Sequence, residues 1–156
     1  MDTVLCCPQF EPALWESKTF VWSEKKFIKD RAFSFLYMPL NFGTVMTRTH
    51  ELVRASGATI PEYLCLSDHS SKWKIEVFLA VDKEIPGAEN VTLSGRYFSK
   101  VYEGPYRDTG KWCKEFESYT REQGMNIRKW FMWYTTCPKC ARKYGKNYSV
   151  IIARMD

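Results

Sequence analysis

The chain has 156 residues, the length of one domain, and is long enough to bury a core without metal or disulfide staples. Hydrophobic residues make up 45% and aromatics 16%, with ten Phe, nine Tyr and six Trp, more rings than one small core needs, so some are expected to line a site. The 23 basic and 18 acidic residues leave a net charge of +5, but the two signs are interleaved and form no run, which argues against a nucleic-acid partner. The amino terminus, MDTVLCCPQFEP, lacks a basic stretch followed by an apolar one, and no apolar run approaches the ~20 residues that span a bilayer. The expectation is a cytoplasmic protein without a membrane partner, in which Cys6, Cys7, Cys65, Cys113, Cys137 and Cys140 are thiols and not a disulfide framework.

Residues 1–30 carry Phe10, Trp15, Phe20, Trp22 and Phe27 among charges and show no sustained period. They read as an N-terminal arm with one short helical turn, laid across the body by its rings. From Ala32 the run AFSFLYM, ended by Pro39, reads as a strand. Asn41 is placed to cap a helix in which Phe42, Val45, Met46, Thr49, Leu52 and Val53 form one stripe, and Gly57 supplies the stop. EYLCLS (62–67), the polar turn DHSSK and KWKIEVFLAV (72–81) read as a hairpin. In its second strand Trp73, Ile75, Val77, Leu79 and Val81 fall on one side, and Lys74, Glu76, Phe78 and Ala80 on the other. DKEIPGAEN is the connector. GRYFSKVYE (95–103) then reads as a strand, Asp108 caps a helix with Trp112, Phe116 and Tyr119 on its apolar side, and Gly124 stops it. KWFMWYTT (129–136) and NYSVIIARM (147–155) read as a closing hairpin around CPKCARKYGKN.

Strand, helix, strand, strand therefore occurs twice, over about residues 31–82 and 95–156. The predicted class is α+β: two βαββ repeats about a pseudo-two-fold axis, whose antiparallel sheets form a ligand groove at their junction. Glu76 and Phe78 would look into that groove, together with Trp130, Met132 and Tyr134 from one hairpin and Tyr63 and Cys65 from the other. Met38, at the end of the first strand, is counted with the ligand-binding residues.

The duplicated plan, the segment KVYEGPYRDTGKW, the PLNFG turn and the terminal WYTTCPKCARKYGKNYSVIIA resemble the GyrI-like (gyrase-inhibitor-like) small-molecule-binding family over about residues 30–156. That resemblance implies the fold of bacterial effector-binding domains, with an aromatic-lined groove and often an acidic residue for cationic amphipathic compounds. Regulators of the family place a glutamate two residues before a Tyr and six before a Pro; Tyr134 and Pro138 keep that spacing here, and Met132 stands in the glutamate's place. Glu76 lies where relatives commonly have an acid. Some stand-alone members look like hydrolases of strained electrophiles such as cyclopropane-bearing natural products. The arm leaves no room for a helix-turn-helix, so the resemblance implies a stand-alone ligand domain.

A partly desolvated Glu76 would serve as general acid or base, or as partner for a ligand cation; its alternative is a surface carboxylate paired with Lys74 or Arg96. Tyr134 and Tyr106 are candidate hydrogen-bond donors for catalysis. Phe78, Tyr106, Trp112, Trp130 and Tyr134 offer π faces to a flat or cationic ligand, or simply pack, as the buried stripe favours for Trp112. Cys137-Pro-Lys-Cys140 supplies two ligands where structural zinc needs about four, so hairpin thiols, a metal site completed by Cys6 and Cys7, and redox use stay open. His50 and His69 read as solvated. No GxSxG, phosphate loop or acidic triplet is present; no cofactor is expected, and hairpin thiols are preferred to a metal site at Cys137 and Cys140. Binding of an aromatic, cationic or electrophilic small molecule is the first functional expectation, hydrolysis of a strained electrophile the second, and inhibition of a protein partner the third.

Overall fold

Two helices of similar length carry most of the local order, and each ends where the sequence places a glycine. The computed structural model describes residues 10–35, 38–39, 42–69, 71, 73–135 and 142–155. It divides into a mid-chain unit, Trp22–Ser94, and a terminal unit that combines residues up to Val21 with Gly95–Asp156.

The mid-chain unit contains β1 (Lys18–Phe35, which starts before the unit boundary), β2 (Met38–Pro39), α1 (Phe42–Ala55), β3 (Cys65–Asp68) and β4 (Lys74–Ala80). Its strands are ordered β2-β1-β4-β3, with β1–β2, β1–β4 and β3–β4 all paired antiparallel. Helix α1 buries Val45 against Ala32, Ile75 and Val77, and Val53 against Ile28, Leu79 and Val81, so alternate residues of β1 and β4 face the helix. Arg48 of α1 clamps Asp30 of β1 from two nitrogens, Nε to Oδ2 at 2.9 Å and a terminal nitrogen to Oδ1 at 2.8 Å. The helix closes in a Schellman turn: Gly57, at φ +70°, donates to Arg54 O, and Ala58 donates to Val53 O.

The terminal unit contains β5 (Glu89–Glu103, which likewise crosses the boundary), α2 (Thr109–Glu122), β6 (Lys129–Tyr134) and β7 (Tyr148–Arg154). Strand β7 pairs antiparallel with both β6 and β5. Trp112 and Phe116 of α2 bury against Phe98, Tyr102, Met132, Ile151 and Ala153. Gly124, at φ +69°, repeats the closure of α1, donating to Arg121 O while Met125 donates to Thr120 O. The opposite face carries the aromatics of the N-terminal segment. Trp15 meets Trp133 edge-on at 5.0 Å, Phe10 meets both Trp133 and Tyr148 at 5.5 Å, and Phe20 stacks on Tyr97. A single 3-10 turn, Pro12–Leu14, precedes these contacts, and Glu16 then accepts the Val101 amide at 3.0 Å.

The architecture is thus mixed α and β with antiparallel strand pairing; the terminal unit runs strand, helix, strand, strand, and the mid-chain unit runs in the same order with the two-residue β2 added before its helix. Three boundaries differ from the sequence reading. Strand β1 begins at Lys18 and not at Ala32: Phe27 and Ile28 are both fully buried although they point to opposite faces, so the alternation that marks a half-buried strand is missing. Strand β3 begins at Cys65 and not at Glu62, because Pro61–Tyr63 form a 3-10 turn in which Glu62 and Tyr63 take positive φ. Strand β5 reaches back to Glu89, into the expected connector.

Candidate functional site

Register places a charged row on the face of the mid-chain sheet that α1 does not cover. Glu76 of β4 lies opposite Arg31 of β1 and Asp68 of β3; Phe78 lies opposite Lys29 and Leu66; Lys74 lies opposite Phe33, and Ala80 opposite Phe27. Because the side-chain period of a strand is two, all of these point to the same side. The row grades from open to closed along the strands: Phe33 is 68% exposed, whereas Phe27 and Ala80 are fully buried and Phe78 nearly so.

Glu76 sits midway, with its side chain 18% exposed. Its Oε2 takes an ion pair from Lys29 Nζ at 3.1 Å and a longer one from Arg31 Nε at 3.5 Å. Lys29 also lies over the Phe78 ring, 5.6 Å from its centroid, which fixes the ammonium between a carboxylate and a π face. Burial pushes the Glu76 carboxyl up, but the Lys29 hydrogen bond and the charges of Lys29 and Lys74 outweigh it, and the group is held below the usual carboxylate range. At neutral pH Glu76 is therefore an anion. It is equipped to accept a proton or a hydrogen bond and not to donate one, which removes the general-acid role weighed from sequence. Its ion-pair partners are Lys29 and Arg31, one strand away; Lys74, one of the two partners expected, acts on it through its charge.

The aromatic half of the expected site is placed differently. Trp130, Met132 and Tyr134 point toward α2: Met132 is buried in the α2 core, and Trp130 and Tyr134 pack against that core with Trp112 inside it. The expectation that these three face away from their helix is not met. KWFMWY is apolar at every position after Lys129, so alternation carries no information about which half faces the helix. Cys65 likewise packs toward α1, against Met46 and opposite Leu79, and burial pushes its thiol up to about 12. Tyr63 is on a turn and 51% exposed. Tyr106 and Tyr134 meet edge-on at 5.6 Å in the terminal unit. Burial raises the Tyr134 phenol above its usual range, against a hydrogen bond with Thr109 that lowers it, so the phenol stays neutral. Met38 pairs with Phe35 along the backbone of β2. His50 is exposed, with Nδ1 2.7 Å from Met46 O. His69 departs from its solvated reading: it is partly buried, and burial lowers its ring against the opposing charge of Asp68. Cys6, Cys7, Cys137 and Cys140 lie outside the described residues. Among the described residues no group of three or more His, Cys, Asp or Glu side chains is placed to hold a metal ion.

Lys29, Arg31 and Asp68 are the residues that sequence reasoning missed. A signal for the first two exists: Phe27, Lys29, Arg31 and Phe33 alternate with Ile28, Asp30 and Ala32 at the period of a strand, but that stretch had been assigned largely to the arm.

Fold and site together define a mixed α and β domain with a partly buried carboxylate, ionised at neutral pH, beside an aromatic ring. The sequence profile of the bacterial hydrolase family matches residues 1–155, and the chain belongs to that family. A comparison with curated proteins finds no match. Among solved structures the chain is similar to the EcmrR C-terminal domain, with a TM-score of 0.70 at 12% identity, covering 92% of this chain and 98% of that one. It is also similar to a hydrolase from Listeria innocua, with a TM-score of 0.59 at 8% identity over 91% and 92% of the two chains. SAV2435 bound to tetraphenylphosphonium gives a TM-score of 0.52 at 14% identity over 90% and 94%. At these identities the likeness is one of fold. Among the described residues no helix is long and apolar enough to cross a membrane.

Proposed function

We propose that the protein hydrolyses a small electrophilic molecule held against the Glu76 face of its mid-chain sheet, with Glu76 as the base. The observation that carries this reading is the Glu76 carboxylate itself, half-buried and kept ionised by Lys29 at 3.1 Å and Arg31 at 3.5 Å. Membership of the bacterial hydrolase family supports the reaction class. In the proposed step Glu76 takes a proton from water while the water oxygen bonds to the electrophilic carbon. The bond from that carbon to its leaving group, or to the next carbon of a strained ring, breaks, and the electron pair leaves on the departing fragment. That fragment is then protonated from solvent, and Glu76 returns the proton it took to solvent. Strained electrophiles of the cyclopropane type are one substrate class that needs only this modest assistance. Tyr106 and Tyr134, which meet edge-on in the terminal unit, are not required by this step.

The shared strand, helix, strand, strand order and the matching glycine closures at Gly57 and Gly124 support a duplicated plan. They support the GyrI-like resemblance with it, and so a second reading as a binder without turnover, which the ligand named with SAV2435 also favours. Incubation with a panel of strained and activated electrophiles, followed by mass spectrometry for products one water heavier, separates the two. Glu76→Gln is expected to slow product formation by about a hundredfold or more. A variant that turns over at the wild-type rate would overturn the assignment of Glu76. Ligand binding with no product from any electrophile would leave the binder reading in its place.

A further inference from the structure

We infer that the Glu76 face recognises an aromatic anion and not a lipophilic cation. The inference rests on the proposed placement of the site and adds the sign of its ligand. Five ionisable side chains share the face by register: Lys29 and Arg31 on β1, Lys74 and Glu76 on β4, and Asp68 on β3. Three cations against two carboxylates leave one net positive charge.

Depth sharpens this further. The two carboxylates lie low, Asp68 buried and Glu76 18% exposed, while Arg31 is 57% exposed and Lys74 is exposed. A molecule approaching from the open end meets the guanidinium and the ammonium first. Glu76 already has two positive partners within 3.5 Å, so a ligand cation would have to displace Lys29 or Arg31 to reach it. An anionic group meets Glu76 as a competitor only at the Nε of Arg31, a long contact of 3.5 Å, and can use the terminal nitrogens of the same guanidinium. It takes N–H donors from Arg31 in the paired geometry that guanidinium offers a carboxylate or sulfonate, with Lys74 beside it. Phe33, 68% exposed and directly opposite Lys74, presents a ring on the same face for the aromatic body. The ligand chemistry that fits is therefore a flat ring bearing a carboxylate or sulfonate.

The test compares two probes of one shape and opposite charge, naphthoate and naphthyltrimethylammonium, by isothermal calorimetry on the wild-type chain, Arg31→Ala, Lys74→Ala and Glu76→Gln. Arg31 and Lys74 are exposed, so their truncation leaves the core intact, and circular dichroism verifies this. Naphthoate is expected to bind at least about tenfold more tightly than the ammonium probe. Arg31→Ala and Lys74→Ala should each weaken naphthoate by about fivefold or more, Glu76→Gln should leave it equal or tighter, and added salt should weaken it. Tighter binding of the ammonium probe, lost in Glu76→Gln, would overturn the sign of the ligand while leaving the site where it is. Binding of neither probe, or binding that none of the three substitutions changes, would overturn the inference and the placement of the site together.

Discussion

Replacing Lys29 by Met removes the charge nearest Glu76 and keeps most of the side chain's apolar stem. The Nζ to Oε2 distance is 3.1 Å, and both side chains are about one-fifth exposed, 21% and 18%. Exposed ion pairs contribute about 0.2–1 kcal/mol, whereas breaking a fully buried pair costs about 3–5 kcal/mol. This pair lies between those limits. Arg31 at 3.5 Å keeps part of the compensation, and the Lys29 contact with the Phe78 ring is lost as well. A destabilisation of about 2 kcal/mol follows, or roughly 4–8 °C in Tm for a chain of this size. The pH dependence gives the sharper test. Glu76 is held below its ordinary value of 4.5, so the pair's contribution is complete above that value and fades as pH falls through the lower folded value. The Lys29→Met penalty should be full at neutral pH and should shrink as the pH is taken below 4.5 and on through the lower folded value. Thermal unfolding of wild type, Lys29→Met, Glu76→Gln and the double variant across that range measures it. The double variant should be more stable than the sum of the singles by about 1–2 kcal/mol at neutral pH. A penalty that does not change with pH, or singles that add within about 0.5 kcal/mol, would refute the coupling on which the site rests.

Cys65, whose thiol burial pushes up to about 12, should resist iodoacetamide in the folded protein at mildly alkaline pH and react once the chain is unfolded in urea; peptide mass mapping reads both states. The Tyr102 hydroxyl is buried without a hydrogen-bond partner among the described residues, so Tyr102→Phe should leave stability unchanged or raise it by about 1 kcal/mol, seen as the urea midpoint. A fall of similar size would show that the hydroxyl is satisfied.

Both helices were legible in the sequence because their signals are local. Val45, Thr49, Leu52 and Val53 mark one stripe, Trp112, Phe116 and Tyr119 the other, and Gly57 and Gly124 stand where a left-handed residue ends each helix. The strands β6 and β7 were legible as strands although both are mostly buried, but which way a strand faces was legible only where one side carries charge. Strand β4 reads correctly since Ile75, Val77 and Leu79 are separated by Glu76 and by a single ring, Phe78. In β6 the side facing α2, Trp130, Met132 and Tyr134, is no more apolar than the other side, Phe131 and Trp133. Alternation then has no sign, and only packing against α2 supplies it. Strand β1 was hidden for the same reason at Phe27 and Ile28, and more so by Glu24, whose φ of +50° interrupts the run.

Glu76 itself was found from sequence, yet its chemistry could not be. What the carboxylate meets is decided by a partner strand more than forty positions earlier, and therefore by register. Register has a discrete effect on charge, because a slip of one residue moves every side chain of a strand to the opposite face. In the observed pairing Arg31 lies opposite Glu76 and Lys29 opposite Phe78, while Asp30 turns to α1 and is clamped there by Arg48. Shifted by one, β1 would present Asp30 beside Glu76 and Asp68, with Lys74 as the cation left among those five positions. That face would be acidic, and a lipophilic cation would be its natural ligand. The Asp30 to Arg48 clamp, on the far side of the sheet, thus helps to set the charge of the Glu76 face without touching it.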